Sequence, residues 1–98
     1  MAKGWIACVD QSQGHITNVR YLEEGAAAWK TVSRDYVLQR MAAGVLVYSA
    51  YGPSGDNMTQ GAQVHREVVN GVAYLQTDRN RTPRDNLGNL PGLGNCPV

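Results

Sequence analysis

Asn70-Gly71 constrains this chain more than any other pair of its residues. A type I′ turn needs two successive residues at positive φ, and its twist matches that of the strands it joins. The flanks are β-branched and alternating, Ala62 to Val69 before the pair and Val72 to Thr77 after it. A two-residue turn fixes the register, so Val69 faces Val72, Glu67 faces Tyr74 and His65 faces Gln76. Val64, Val68, Ala73 and Leu75 then share an apolar face directed at a core. Arg66 falls on that face near the sheet edge, while His65, Glu67, Tyr74 and Gln76 make a solvent-facing polar stripe.

Upstream, residues 5–10 and 15–22 read as a second hairpin around the turn residues Gln11 to Gly14. Ile16 and Val19 are three apart, so a bulge near Thr17-Asn18 is needed to bring both to one face. Glu23 to Lys30 reads as a connection. A helix is expected over 32–43, with Thr31 or Ser33 as cap, Val37, Leu38, Met41 and Ala42 on the buried stripe, and Gly44 stopping it. Asp35 and Gln39 face away from the stripe, and Arg34 sits near it. Val45 to Tyr51 is a strand, and residues 52–61 are a loop by composition. The expected fold class is α+β: a mainly antiparallel sheet of about five strands (β-β-α-β-β-β), one packed helix and an irregular C-terminal arm. Residues 1–98 are one small domain, with a core over 1–78 and an arm over 79–98 packed on it.

Composition excludes several classes. Nine Lys and Arg against eight Asp and Glu leave a formal charge of +1, so no strong overall field attracts nucleic acid or anionic membrane. Charged residues are 17%, too few for a charge-driven disordered chain. Two cysteines exclude a disulfide-dense scaffold and any four-cysteine zinc site. The apolar run Trp5 to Val9 is shorter than a signal-peptide core, and no stretch is long enough to span a bilayer. A cytoplasmic address follows, with both thiols reduced there.

No constellation of side chains announces chemistry. His65 and Glu67 project in parallel from one strand, which suits a solvated stripe better than an acid–base pair. Cys8, Cys96, His15 and His65 lack the close pairing of zinc ligands, so no metal and no cofactor are expected. Cys8 reads as a small buried hydrophobe. Cys96 reaches it only if the arm folds back along the first strand, and whether the two meet stays open. The loop over 52–61 lacks the Lys-Ser/Thr ending of a phosphate cradle. Arg79, Arg81 and Arg84 are the best electrostatic feature, able to contact phosphates, but Asp78 and Asp85 bracket them. Thr82-Pro83-Arg84-Asp85 has the pattern of a helix start, with one turn through Leu87.

The tail carries a resemblance. Tyr74-Leu75-Gln76-Thr77-Asp78, then Asp85-Asn86-Leu87-Gly88-Asn89-Leu90-Pro91 and a late Cys96, resembles a family of small bacterial proteins known only as a domain of unknown function. Its members look like Tyr-Leu-x-Thr, a short polar turn, Asp-Asn-Leu-x-x-Leu-Pro and a closing Cys. This chain differs by the extra Gly92-Leu93-Gly94-Asn95 before Cys96 and by a longer segment at 52–61. The resemblance supports the fold class and implies no activity. Physics gives the motif a structural role: Asp85 and Asn86 brace the arm through backbone N–H groups, Thr77 ends the last strand, and Leu87, Leu90 and Leu93 anchor the arm.

The expected function is therefore a small non-enzymatic binding or protein-interaction module. Trp5, Trp29, Tyr21, Tyr36, Tyr48, Tyr51 and Tyr74 are many large aromatics for so small a core, and exposed Tyr and Trp suit interfaces. A sheet with one helix leaves a face open for a protein partner or self-association. The alternatives are a weak nucleic-acid binder using Arg79, Arg81 and Arg84, and a small enzyme with an unrecognised site.

Overall fold

The computed structural model of the protein describes residues 2–12, 15–54, 57–77, 90–96 and 98. Among these residues seven strands and one α-helix run in the order β1 Lys3–Ser12, β2 His15–Glu23, β3 Lys30–Ser33, α1 Arg34–Ala42, β4 Leu46–Ser54, β5 Asn57–Gln63, β6 His65–Val69 and β7 Val72–Gln76. The strands make a five-stranded sheet, ordered β3-β2-β1-β4-β5, and a two-stranded sheet of β6 and β7. All pairs are antiparallel except β1 with β4. That parallel pair needs a crossover connection, and α1 lies within it. The α+β class, the mainly antiparallel five-stranded sheet and the single helix are those the sequence predicts.

The first hairpin holds Ile16 and Val19 in the core through an irregular ladder. Asn18 pairs with Asp10 and Ile16 with Gln11, leaving Thr17 as an extra residue on β2. The bulge lies where the sequence requires it, and Thr17 Oγ1 donates to the Asp10 carbonyl at 3.1 Å. Both apolar side chains are consequently buried. A second irregularity between Ile6 and Cys8 makes Ala7 an extra residue on β1.

Residues 30–33 correct the expected helix start. Their backbone pairs with Asn18 to Tyr21 as edge strand β3, so the helix begins at Arg34. Ser33 is the cap, accepting from the Tyr36 N–H at 3.1 Å. Val37 is fully buried, Leu38 and Met41 pack partly against the core, and Asp35 and Gln39 are exposed. Ala42 is exposed rather than buried. Arg34 is accounted for by its Nη2 donating to the Ala73 carbonyl at 3.0 Å, which ties the helix start to β7. Gly44, at φ 100°, ends the helix with its N–H on the Met41 carbonyl.

Residues 52–61 are not simply a loop. Residues 52–54 complete β4 and residues 57–61 open β5, with Ser54 paired to Asn57 and Tyr51 to Thr59. The run 62–69 is broken in turn. At Val64 the N–H donates to the Val47 carbonyl at 2.7 Å and the side chain enters the core, after which the chain leaves the sheet edge for β6.

The β6–β7 hairpin has the predicted register throughout, with Asn70 at φ 52° and Gly71 at φ 80° in the turn. Its burial differs from the expected two-faced pattern. Val64 and Leu75 are in the core, whereas Val68 and Val72 are exposed at 37% and 41%. Tyr74 and Gln76, expected on a solvent stripe, are buried. Tyr74 is covered from β2, where the His15 ring stacks on it at 5.5 Å between centroids. Along β7 burial rises away from the turn whichever side a residue faces, while on β6 it alternates, with His65, Glu67 and Val69 half-buried and Arg66 and Val68 exposed.

Ile6, Val9, Ile16, Val19, Tyr21, Val37, Val45, Val47, Val64 and Leu75 form the core. Helix and second hairpin therefore cover the same face of the large sheet.

Candidate functional site

Register decides which side chains occupy the other face. Trp5 pairs with Tyr48 on β4 and with Leu22 on β2, and Lys3 pairs with Leu46. Directly opposed residues point to one side of a sheet. These alternate with Gly4, Ile6, Tyr21 and Val47, which face the core side. Trp5, Leu22, Leu46 and Tyr48 thus make one aromatic and aliphatic patch across the three central strands, each side chain only partly buried. Gln60 on β5 holds the indole, its Oε1 accepting from Trp5 Nε1 at 3.0 Å. Lys3 Nζ stands 5.9 Å from the centre of the Tyr48 ring, supplying positive charge at the margin.

Farther along β1 the C-terminal arm lies beside the strand, beyond the end of its pairing with β4. The N–H of Val9 donates to the Pro91 carbonyl at 3.0 Å, and Val9 and Gly92 form a single parallel bridge. Leu90 packs partly against the core. A 3-10 turn at Leu93–Asn95 then carries the chain to Cys96, whose Sγ is bonded to Cys8 Sγ. The cysteines are 88 residues apart in sequence, and neither is a free thiol. The expectation of two reduced thiols is corrected by this bond. The arm does fold back along the first strand, and the extra Gly92–Asn95 stretch is the segment that delivers Cys96. On the same rung Arg20, paired with Cys8, donates from Nε to the Val98 main-chain oxygen at 3.0 Å and from Nη1 to Thr31.

A polar cluster braces the covered side. Glu23 takes Arg40 in a two-pronged ion pair, Nε to Oε1 at 2.8 Å and Nη2 to Oε2 at 2.9 Å. Tyr21, fully buried, donates from its hydroxyl to the same Oε1 at 2.9 Å. The Arg40 hydrogen bonds, helped by the Tyr21 hydroxyl, hold the Glu23 carboxyl below the usual carboxylate range, and the same bonds raise Arg40. Burial, then the Glu23 hydrogen bond, raises the Tyr21 phenol well above its ordinary value. The signs are opposite for the two acids. Glu23, depressed in the fold, contributes stability above about pH 4.3 that is lost as pH falls through its folded value. Tyr21, raised, contributes stability that is lost as pH climbs above about 10. Urea unfolding across pH 2–6 is expected to show a steeper acid loss for the wild type than for Glu23→Gln; parallel curves refute the pairing.

Of the sequence-predicted residues, Tyr74 and Leu75 are buried, Thr77 follows directly on the end of β7, and Leu90 and Pro91 hold the arm at β1. Arg79, Arg81 and Arg84, with Asp85, Asn86, Leu87 and the expected turn from Thr82, lie outside the described residues. Among the described residues no three His, Cys, Asp or Glu side chains gather to hold a metal ion, and no helix is long and apolar enough to cross a membrane.

Among the described residues, fold and face together define a small two-layer α+β fold with one sheet surface covered by helix and hairpin and the other only partly buried. The chain belongs to a family described as Protein of unknown function (DUF3892), whose profile matches residues 5–91. The tail motif resembles a family of this kind. No curated protein and no solved structure matches the chain.

Proposed function

We propose that the protein is a non-enzymatic interaction module that takes a protein partner on the open sheet face. The observation behind this reading is the patch of Trp5, Leu22, Leu46 and Tyr48, built on three adjacent central strands and facing away from the core. Large aromatics at the centre of a rigid surface are the residue types that carry binding energy. Gln60 fixes the indole beforehand, which reduces the ordering cost of binding. The cytoplasmic address belongs to the same proposal. It makes the Cys8–Cys96 bond a variable, since cytosolic thiol buffers keep most thiols reduced.

A photo-crosslinker at Leu22, in the full chain in its own host, tests the reading. Discrete protein adducts are expected there and none from the same group at exposed Gln39 on α1. Trp5→Ser should weaken binding of the captured partner roughly 30-fold or more, as loss of a central anchor of about 2 kcal/mol does. Equal adducts from both positions, or none from Leu22, refute it.

One observation favours a second reading, single-stranded nucleic acid. Trp5 and Tyr48 are paired on neighbouring central strands with Lys3 beside them, an arrangement on which bases stack. Quenching of Trp5 fluorescence by an oligonucleotide, steeply weakened between 50 and 200 mM salt as is usual for phosphate contacts, would select it over a protein partner.

A further inference from the structure

We propose that the Cys8–Cys96 bond is a redox clasp: reduction by a dithiol releases Leu90–Cys96 from β1 and extends the open sheet face. Two features support this. The first is how little else holds the arm among the described residues. On its β4 side, β1 is laddered only from Lys3 to Ile6. Beyond that the arm supplies one hydrogen bond from Val9 and one bridge at Gly92, in place of a strand. Leu90 and the Arg20–Val98 contact add to these. The second feature is that the β1–β2 and β1–β4 ladders contain no arm residue, so the sheet has its own bonding when the arm leaves.

The sulfurs are unequal. Cys8 is fully buried and Cys96 is partly exposed, so an incoming thiolate reaches the Cys96 Sγ. Attack there forms a mixed disulfide and expels Cys8 as a thiolate, which takes up a proton. The second thiol of the dithiol then attacks the mixed disulfide, releasing Cys96 and closing the reductant's own disulfide. Two electrons and two protons end on the two cysteines, and the dithiol is oxidised to its cyclic disulfide. Departure of the arm uncovers Cys8 and Arg20, one rung of β1–β2 pairing beyond the irregularity at Ala7. That places a new polar and thiol-bearing surface close to the Trp5 and Leu22 patch. The effect on binding rests on the open-face reading; the release itself does not.

Amide exchange on the full chain, oxidised and then fully reduced with dithiothreitol, tests the clasp. The Val9 amide is expected to exchange at least 100-fold faster after reduction. The Val64 and Leu46 amides, which donate to Val47 and Ala2, should keep their protection. Retained protection at Val9 overturns the proposal, because the arm then stays without the bond. Loss at Val64 and Leu46 together with Val9 overturns it as well, because the bond is then a staple of the whole domain. Cys96→Ser gives an independent reading: Cys8 should be alkylated by iodoacetamide under native conditions without reductant, and resistance to alkylation refutes release. Crosslinking from Leu22 in both redox states separates the two ideas. Release at Val9 with unchanged Leu22 adducts rejects the link to binding alone.

Discussion

Gly4→Ala is expected to lower stability by about 2–3 kcal/mol, at the upper end of what forcing one methyl into a packed core costs. Gly4 lies under the ring of Tyr21, and a Cβ there would stand 2.7 Å from Cε1 and 2.8 Å from Cζ, closer than carbon atoms approach. The ring has nowhere to move. It is fully buried, and its hydroxyl is bonded to Glu23, which in turn holds Arg40 on the helix. For a chain of this length the loss corresponds to a melting temperature lower by roughly 10–20 °C. Tyr21→Leu removes the obstacle, so the double variant should lose less than the sum of the single losses by at least about 1 kcal/mol. Strict additivity would show that the ring is not what excludes a side chain at position 4.

The contact between Gly4 and Tyr21 belongs to a class that sequence reading does not reach. Alternation along a strand tells which residues share its face, and it does not tell which strand lies beside it. Asn70-Gly71 was legible because the turn and its register are local. So was the bulge at Thr17, since Ile16 and Val19 cannot otherwise both be buried. Strand β3 was not: Lys30-Thr31-Val32-Ser33 has one apolar residue, and its status as a strand comes from the β2 backbone beside it. Strand β5 is similar, because Asn57 to Gln63 is poor in β-branched residues and pairs by continuing a hairpin whose first strand is apolar. The open face follows the same rule. Trp5 and Tyr48 are 43 positions apart and meet through the parallel β1–β4 pair, which no local pattern specifies. The Cys8–Cys96 bond depends on the arm finding Val9, a contact set by Pro91 and Gly92 rather than by any spacing of the cysteines.

The β6–β7 hairpin supplies the other large expected effect, a steep gradient of mutational cost along one element. Leu75→Ala should cost about 2–5 kcal/mol, as truncating a fully buried leucine does. Val68→Ala should stay within about 0.5 kcal/mol, because that side chain is exposed and surface changes are small. Sequence alternation assigns both residues to the core face, so equal costs are the outcome expected from pattern alone. The difference arises because Val64 and Leu75 enter the core near the open end of the hairpin, whereas nearer the turn the Arg34–Ala73 bond engages the β7 backbone and leaves the Val68 side chain exposed. Urea denaturation at constant m separates the two variants cleanly. A large loss at Val68 would mean that the hairpin packs along its whole length in solution. A small loss at Leu75 would mean that the second sheet is docked on the core rather than part of it.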